Sequence, residues 1–305
     1  MAEGRDHLLY RMVEEPALSE PVLVVALEGW VDAGYGAAGA SAHLLGATET
    51  SLVASFDVDV LVDHRSRRPV LHLVDGVNTG LSWPATELRL GHDLEGRDVL
   101  VLTGTEPDVR WRAFTHEVVA LSVGLGVRIV VGLGAYPAPV PHTRPVRLAT
   151  TATDAELAAR GGEVHATLDV PSGVGAAIEE RCAELDLPAI GLWAQVPHYA
   201  AGMPYPAASA TLVDGLARVA GLRFDTDPLH EAARLHRERL DELVGTNIEH
   251  TRMVHNLEAA YDAERAGPSR GAFAPAAGED LAAEVERFLR DLEAGGDATG
   301  TDSPP

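Results

Sequence analysis

Lysine is missing from all 305 residues, and every one of the 24 basic side chains is arginine. That excludes lysine Schiff bases, pyridoxal-phosphate anchoring and the lysine of a phosphate-binding loop. Cysteine is reduced to Cys182, which rules out an intrachain disulfide and any multi-cysteine zinc or iron–sulfur centre. No apolar run approaches the ~18 residues that would cross a bilayer. The charged start, Met1 to Asp6, has no apolar stretch behind it, so no secretory signal is expected. Positive charge is scarce overall: the formal net charge is −22. Such a chain repels phosphate backbones and anionic membranes. These absences predict a soluble, cytoplasmic protein with neither nucleic acid nor membrane as partner. With 46% hydrophobic and 23% charged residues, the composition is that of a globular chain. The length fits one large domain, or one domain with an appendage.

Continuous apolar runs of strand length occur at Val22–Leu27, Asp98–Leu102, Val127–Leu133 and Pro188–Ala194. Strands covered on both faces read this way. Further strands are expected at Ser51–Phe56, Val58–Val62 and Val146–Thr151, with an edge strand at Pro69–Val74. Helices are predicted at Tyr35–Leu45, Trp111–Leu125, Gly173–Leu185 and Thr211–Ala220. Strands alternating with helices give a three-layer α/β/α sandwich on a largely parallel sheet. The turns that leave the strands, 28–34, 103–107, 134–145 and 195–199, then gather at one rim.

Residues 1–20 read as a flexible N-terminus and 21–226 as the core domain. Residues 227–266 form a helical extension. Its apolar seam runs Leu229, Ala233, His236, Leu240, Leu243, Asn247, His250, Val254, Leu257 and Tyr261 at alternating spacings of four and three. It is a helix or helical hairpin that packs on its own body or joins copies. Residues 267–278 are a Gly/Pro/Ala-rich linker. Residues 279–293 form an amphipathic helix with Leu281, Val285, Phe288, Leu289 and Leu292 on one face, a candidate partner helix because so short a helix needs a surface. Residues 294–305 read as a disordered tail.

The candidate cleft and interaction residues are Glu28, Trp30, Asp32, Tyr136, His142, Arg144, His198 and Tyr199. Glu28 and Asp32 are carboxylates in the first turn, and Asp32 is also placed to cap the next helix. Gly34-Tyr35-Gly36-Ala37-Ala38-Gly39 matches the letters of a dinucleotide fingerprint but lies at a helix start, beside carboxylates that would repel a phosphate. Pro141-His142-Thr143-Arg144-Pro145 is stiffened by its prolines. His142 and Arg144 either bind a small anion or fix the loop by pairing with a neighbour such as Glu28 or Asp32. His198-Tyr199 can join the same cleft. No G-x-S-x-G elbow and no H-E-x-x-H occur, Cys182 sits on an apolar helix face, and no metal or cofactor is called for.

Leu27-Glu28-Gly29-Trp30-Val31-Asp32-Ala33-Gly34, Gly132-Leu133-Gly134-Ala135-Tyr136, Pro141 to Val146, Ser172-Gly173-Val174-Gly175 and Ala194 to Tyr199 together resemble the proteasome assembly chaperone 2 family, in its branch from high-GC bacteria. The resemblance covers roughly residues 20–262, and the tail helix from Glu279 to Arg290 is similar to that branch as well. It implies an α/β/α fold like that of purine nucleoside phosphorylases, with no established catalytic set. It also implies protein partners related to the proteasome. Some relatives end in a hydrophobic–Tyr–any-residue motif that enters the proteasome ring; this sequence ends Thr301-Asp302-Ser303-Pro304-Pro305. The expected function is a non-enzymatic, assembly-chaperone-like interaction protein that forms a homo-oligomer, provisionally a trimer. The alternative is an enzyme on a small anionic metabolite, of nucleoside phosphorylase or hydrolase type, using Arg144, His142 and Glu28.

Overall fold

The run from Val22 is apolar without alternation because both its faces are covered. Val22, Val24 and Ala26 pack into one hydrophobic cluster, Leu23 and Val25 into another across the sheet. A computed structural model describes residues 9–47, 50–162, 167 and 169–266. In chain order the described elements are β1 (Tyr10–Met12), β2 (Val22–Glu28), α1 (Gly36–Gly46), β3 (Ser51–Phe56), α2 (Val58–Leu61), β4 (Val70–Val74), β5 (Val77–Ser82), β6 (Thr86–His92), β7 (Asp98–Thr105), α3 (Trp111–Gly124), β8 (Ile129–Ala138), β9 (Leu148–Ala152), α4 (Ala155–Gly161), α5 (Val174–Glu184), β10 (Ala189–Pro197), α6 (Pro206–Ala220), α7 (Asp227–Gly245) and α8 (Ile248–Ala266).

Eight strands make one sheet in the order β1-β3-β6-β7-β2-β8-β10-β9. The four central strands, β7, β2, β8 and β10, are parallel, and the strands outside them are antiparallel. The sheet is therefore mixed, with a parallel centre. Helices α1 and α6 cover the face carrying Val22, Val131 and Leu192; α3 and α5 cover the face carrying Leu23, Leu100 and Val130. The α/β/α sandwich is present as expected.

Several elements differ from the sequence reading. Residues 10–12 are not loose: Tyr10 pairs with Phe56 in the sheet, and their rings meet at 5.6 Å. Val58–Leu61 is a helical turn rather than a strand, because the Asp57 side chain accepts the Asp59 N–H and caps it. The edge strand expected at Pro69–Val74 instead pairs with β5 in a separate two-stranded hairpin. The loop expected to begin at Gly134 continues as strand to Ala138, paired with β10. Strand β6 and helix α4 were not anticipated.

Small residues let α1 and α6 close on each other. A Cβ at Gly36 would stand 2.9 Å from Ala135 Cβ and 3.0 Å from Ala208 Cβ, and one at Gly39 would stand 2.4 Å from Ser209 Oγ. These glycines serve packing. Phosphate binding is closed off locally too, since the Asp32 carboxylate already accepts the N–H groups of Ala37 at 2.8 Å and Ala38 at 3.0 Å.

The helical extension is a hairpin broken at Thr246–Asn247, and it packs on its own body. Leu240, Val244 and Val254 join the α1/α6-side cluster, so the seam is used in cis. The linker, the amphipathic helix with Leu281, Val285, Phe288, Leu289 and Leu292, and the tail lie outside the described residues.

Candidate functional site

The eight candidate residues do not converge on one pocket. Four of them belong to a latch that fastens the helical hairpin, three line a cavity on the α5 side of the sheet, and Glu28 belongs to neither.

The latch is built from the Pro141–Pro145 segment. Tyr199, buried at the end of β10, presents its hydroxyl to His142, which accepts the His142 backbone N–H at 2.8 Å and meets Nδ1 at 2.7 Å. His142 Nε2 lies 3.1 Å from Asp241 Oδ1 on α7. A proton on Nε2 satisfies all three contacts: the phenol donates to Nδ1, and Nε2–H donates to the carboxylate. His198 is buried beside them, its ring edge-on to Tyr199 at 5.3 Å. Arg144 does not pair with Glu28 or Asp32. Its Nε and Nη2 donate to the two carboxylate oxygens of Asp262 at 2.9 and 2.7 Å, and Nη1 donates to Glu258 at 3.1 Å. Nearby, Tyr261 donates to the Pro145 carbonyl at 3.0 Å, and the Arg147 guanidinium stands 4.6 Å from the Tyr261 ring centroid. The reason for the difference is geometric: α8 crosses the rim directly above the loop, whereas Glu28 and Asp32 lie at the other side of β8.

Burial pulls the His142 imidazole below its ordinary range, with Asp241 opposing the shift. The unfolded chain takes up that proton near pH ~6.5. The latch therefore contributes fully above that pH and is lost as pH falls through it toward the lower folded value. We expect an imidazole titration by NMR to place His142 below free histidine. We also expect the melting temperature to fall from about pH 7.5 to about pH 5.5, and to fall less in His142→Asn. A His142 midpoint above free histidine would contradict this.

Trp30, Asp32 and Tyr136 line the cavity, whose volume is about 640 Å³. Its floor is β8, β9 and β10, and its roof is the N-terminal part of α5 with residues 170–173. Gly132 and Gly191 stand opposite each other in register, which leaves the floor low. The Trp193 indole lies against Gly134, where a Cβ would come within 2.4 Å of the ring. A Cβ at Gly173 would stand 2.9 Å from Trp30 Cγ. The Tyr136 hydroxyl accepts from Gln195 Nε2 at 3.0 Å. Two carboxylates not anticipated here, Glu106 and Glu179, also line the space. Glu106 is 5% exposed and accepts the Val174 N–H at the start of α5. Glu179 accepts from Thr151 Oγ1 at 2.7 Å. Burial raises the pKa of Asp32, Glu106 and Glu179, with hydrogen bonds from backbone or Thr151 opposing it. Glu28 is exposed at the end of β2, and its carbonyl accepts from Glu106 N at 2.7 Å and Arg67 Nη1 at 3.2 Å.

The proposed anion set is thus dispersed: His142 and Arg144 belong to the latch, and among the described residues neither arginine nor histidine lines the cavity. Among the described residues no group of His, Cys, Asp or Glu is arranged to hold a metal ion, and no helix is long and apolar enough to cross a membrane. Burial pushes the Cys182 thiol up to about 12, with Glu179 adding to it, as befits a core side chain.

An α/β/α sandwich whose strand-exit rim is closed by its own C-terminal helices defines the class: a latched scaffold with an apolar cavity in its α5 layer. The chain belongs to the PAC2 family, whose sequence profile matches residues 26–244. Among solved structures it is similar to a Mycobacterium tuberculosis protein of unknown function, at 35% identity over 95% of this chain and 99% of that one, with a TM-score of 0.81. It is also similar to a Mycobacterium tuberculosis proteasome-assembly chaperone homologue, at 33% identity over 76% of this chain and 99% of that one, TM-score 0.71. A PAC2 family protein from Streptomyces avermitilis matches at 35% identity over 77% of this chain and 99% of that one, TM-score 0.69. No curated protein matches the chain.

Proposed function

We propose that this protein is an assembly-chaperone-like interaction module that works as a cytoplasmic homo-oligomer. The observation that carries the reading is its 33% identity to a proteasome-assembly chaperone homologue, spanning 99% of that chain. The use of His142, Arg144 and Tyr199 as structural fasteners supports it, since the polar groups expected to do chemistry are consumed in holding α7 and α8. A second support is the β4–β5 hairpin. All eleven of its strand residues are exposed, among them Val70, Leu71, Leu73, Val74, Val77 and Leu81. A lone two-stranded hairpin is marginal in water, and so much exposed apolar surface marks an interaction site. The hairpin is the arm by which copies join.

The partner is a polypeptide, and a proteasome subunit is the first to test. The purified full-length protein, mixed with the core-particle subunits of its own host, is expected to co-elute with them or to speed their assembly. Recovery of no subunit and an unchanged assembly rate would count against the proteasome as partner.

A further inference from the structure

We propose that the cavity over β8, β9 and β10 is a binding site for a monocationic amine with an apolar body. Three independent features of the cavity lead there. The first is size: about 640 Å³ lies within the range of small-molecule sites. The second is the walls. Trp193 and Trp30 lie against Gly134 and Gly173 and both line the cavity, Trp30 remaining 45% exposed. Aromatic faces favour an apolar body and attract a cation through the ring quadrupole.

The third is charge. Asp32, Glu106 and Glu179 line the space, and among the described residues no basic side chain does. Both oxygens of Asp32 are engaged, by Ala37 and Ala38, whereas Glu179 and Glu106 each accept one hydrogen bond, from Thr151 and Val174. Of these two Glu106 is the more deeply buried, at 5% exposed. One carboxylate oxygen is left for a ligand N–H. The start of α5 offers little to an anion, because Glu106 takes the Val174 N–H and the Gly173 carbonyl takes the Ala176 N–H at 3.2 Å. Arg67 donates to the Glu106 backbone carbonyl at 2.9 Å, and its charge favours the ionised carboxylate. The site thus selects against the anionic metabolite expected of a phosphorylase-like fold.

The floor supplies the control. A Cβ on Gly132 would find its nearest neighbour, Gly191 Cα, at 3.6 Å, so a larger side chain there extends into the cavity without a backbone clash.

Dansylcadaverine and dansylglycine test the proposal, since they share a fluorophore and differ in charge. Titrated into the full-length protein, the amine should bind with a blue-shifted emission and about tenfold more tightly than the acid, the ratio of one charged hydrogen bond. Glu106→Gln should narrow the ratio to about threefold or less while the melting temperature holds or rises, because a buried charge is removed. Gly132→Leu should abolish binding of both dyes. If Gly132→Leu does not fold, a fall in tryptophan-to-dansyl energy transfer that is larger in Trp30→Phe/Trp193→Phe than in Trp83→Phe/Trp111→Phe locates the dye instead. Equal or reversed affinities, no binding of either dye, binding untouched by Gly132→Leu, or a fall in transfer no larger than in Trp83→Phe/Trp111→Phe would each overturn the proposal.

Discussion

Placing aspartate at Leu73 and Val77 is expected to dissociate the proposed oligomer to a monomer of 32.2 kDa at micromolar concentration, as read by light scattering on a sizing column. Both side chains are exposed in the isolated chain, at 59% and 64%. Neither substitution therefore removes packing within the protomer. Full burial of a Leu or Val side chain contributes about 1.5–3 kcal/mol. Two half-burials lost from each arm cost about 3 kcal/mol, before the desolvation of two new carboxylates is counted. That is roughly a hundredfold in association or more. The double variant should keep its unfolding midpoint in dilute solution. An unchanged mass would show that the arm is not the contact between copies.

The second large effect is expected at Tyr199. Tyr199→Phe removes a hydroxyl that serves two buried groups of His142, its backbone N–H and Nδ1. Each buried group left unpaired costs about 1–3 kcal/mol, so the loss should reach about 2–4 kcal/mol. For a chain of this size that lowers the melting temperature by about 5 °C or more. Hydrogen exchange should show α7 and α8 opening first. Arg144→Ala makes the useful contrast. Its ion pairs to Glu258 and Asp262 are partly exposed, and surface pairs contribute little to global stability. It should raise exchange in α8 while barely moving the melting temperature. Equal effects of the two substitutions would contradict a latch centred on Tyr199.

The parallel centre of the fold was legible because strands covered on both faces need no polar face. β2 and β7 announce themselves as Val/Leu-rich runs, and β8 and β10 as apolar runs that include glycine. The antiparallel edge was harder. In β6, Leu88 and Leu90 point inward while Glu87 and Arg89 pair outward at 2.8 Å. Its two-residue alternation is short, and Gly91 interrupts it. At Val58–Leu61 the β-branched composition argued for strand, and the single cap by Asp57 prevailed.

The site was legible in part for the same kind of reason. Two prolines bracketing His142 and Arg144 single out that segment from its own letters. Its partners do not appear there: Asp241 lies 99 residues on and Asp262 lies 118 residues on. Only packing of the terminal helices brings them to the rim. The cavity was invisible for a different reason. Gly132 and Gly191 are unremarkable singly, and become a floor only when β8 and β10 lie in parallel register.

The position of β10 has a consequence for synthesis. It is inserted between β8 and β9, and among the described strands β9 is hydrogen-bonded to no other. A nascent chain that has not yet emerged past Ala189 holds the β9 segment with no neighbour to zip against, beside an open β8 edge. Long-range pairings such as the parallel β8–β10 and the antiparallel β9–β10 form late and leave intermediates prone to mispairing. Ribosome-bound fragments ending before β10 should therefore recruit holdase chaperones, and those extending through α6 should release them.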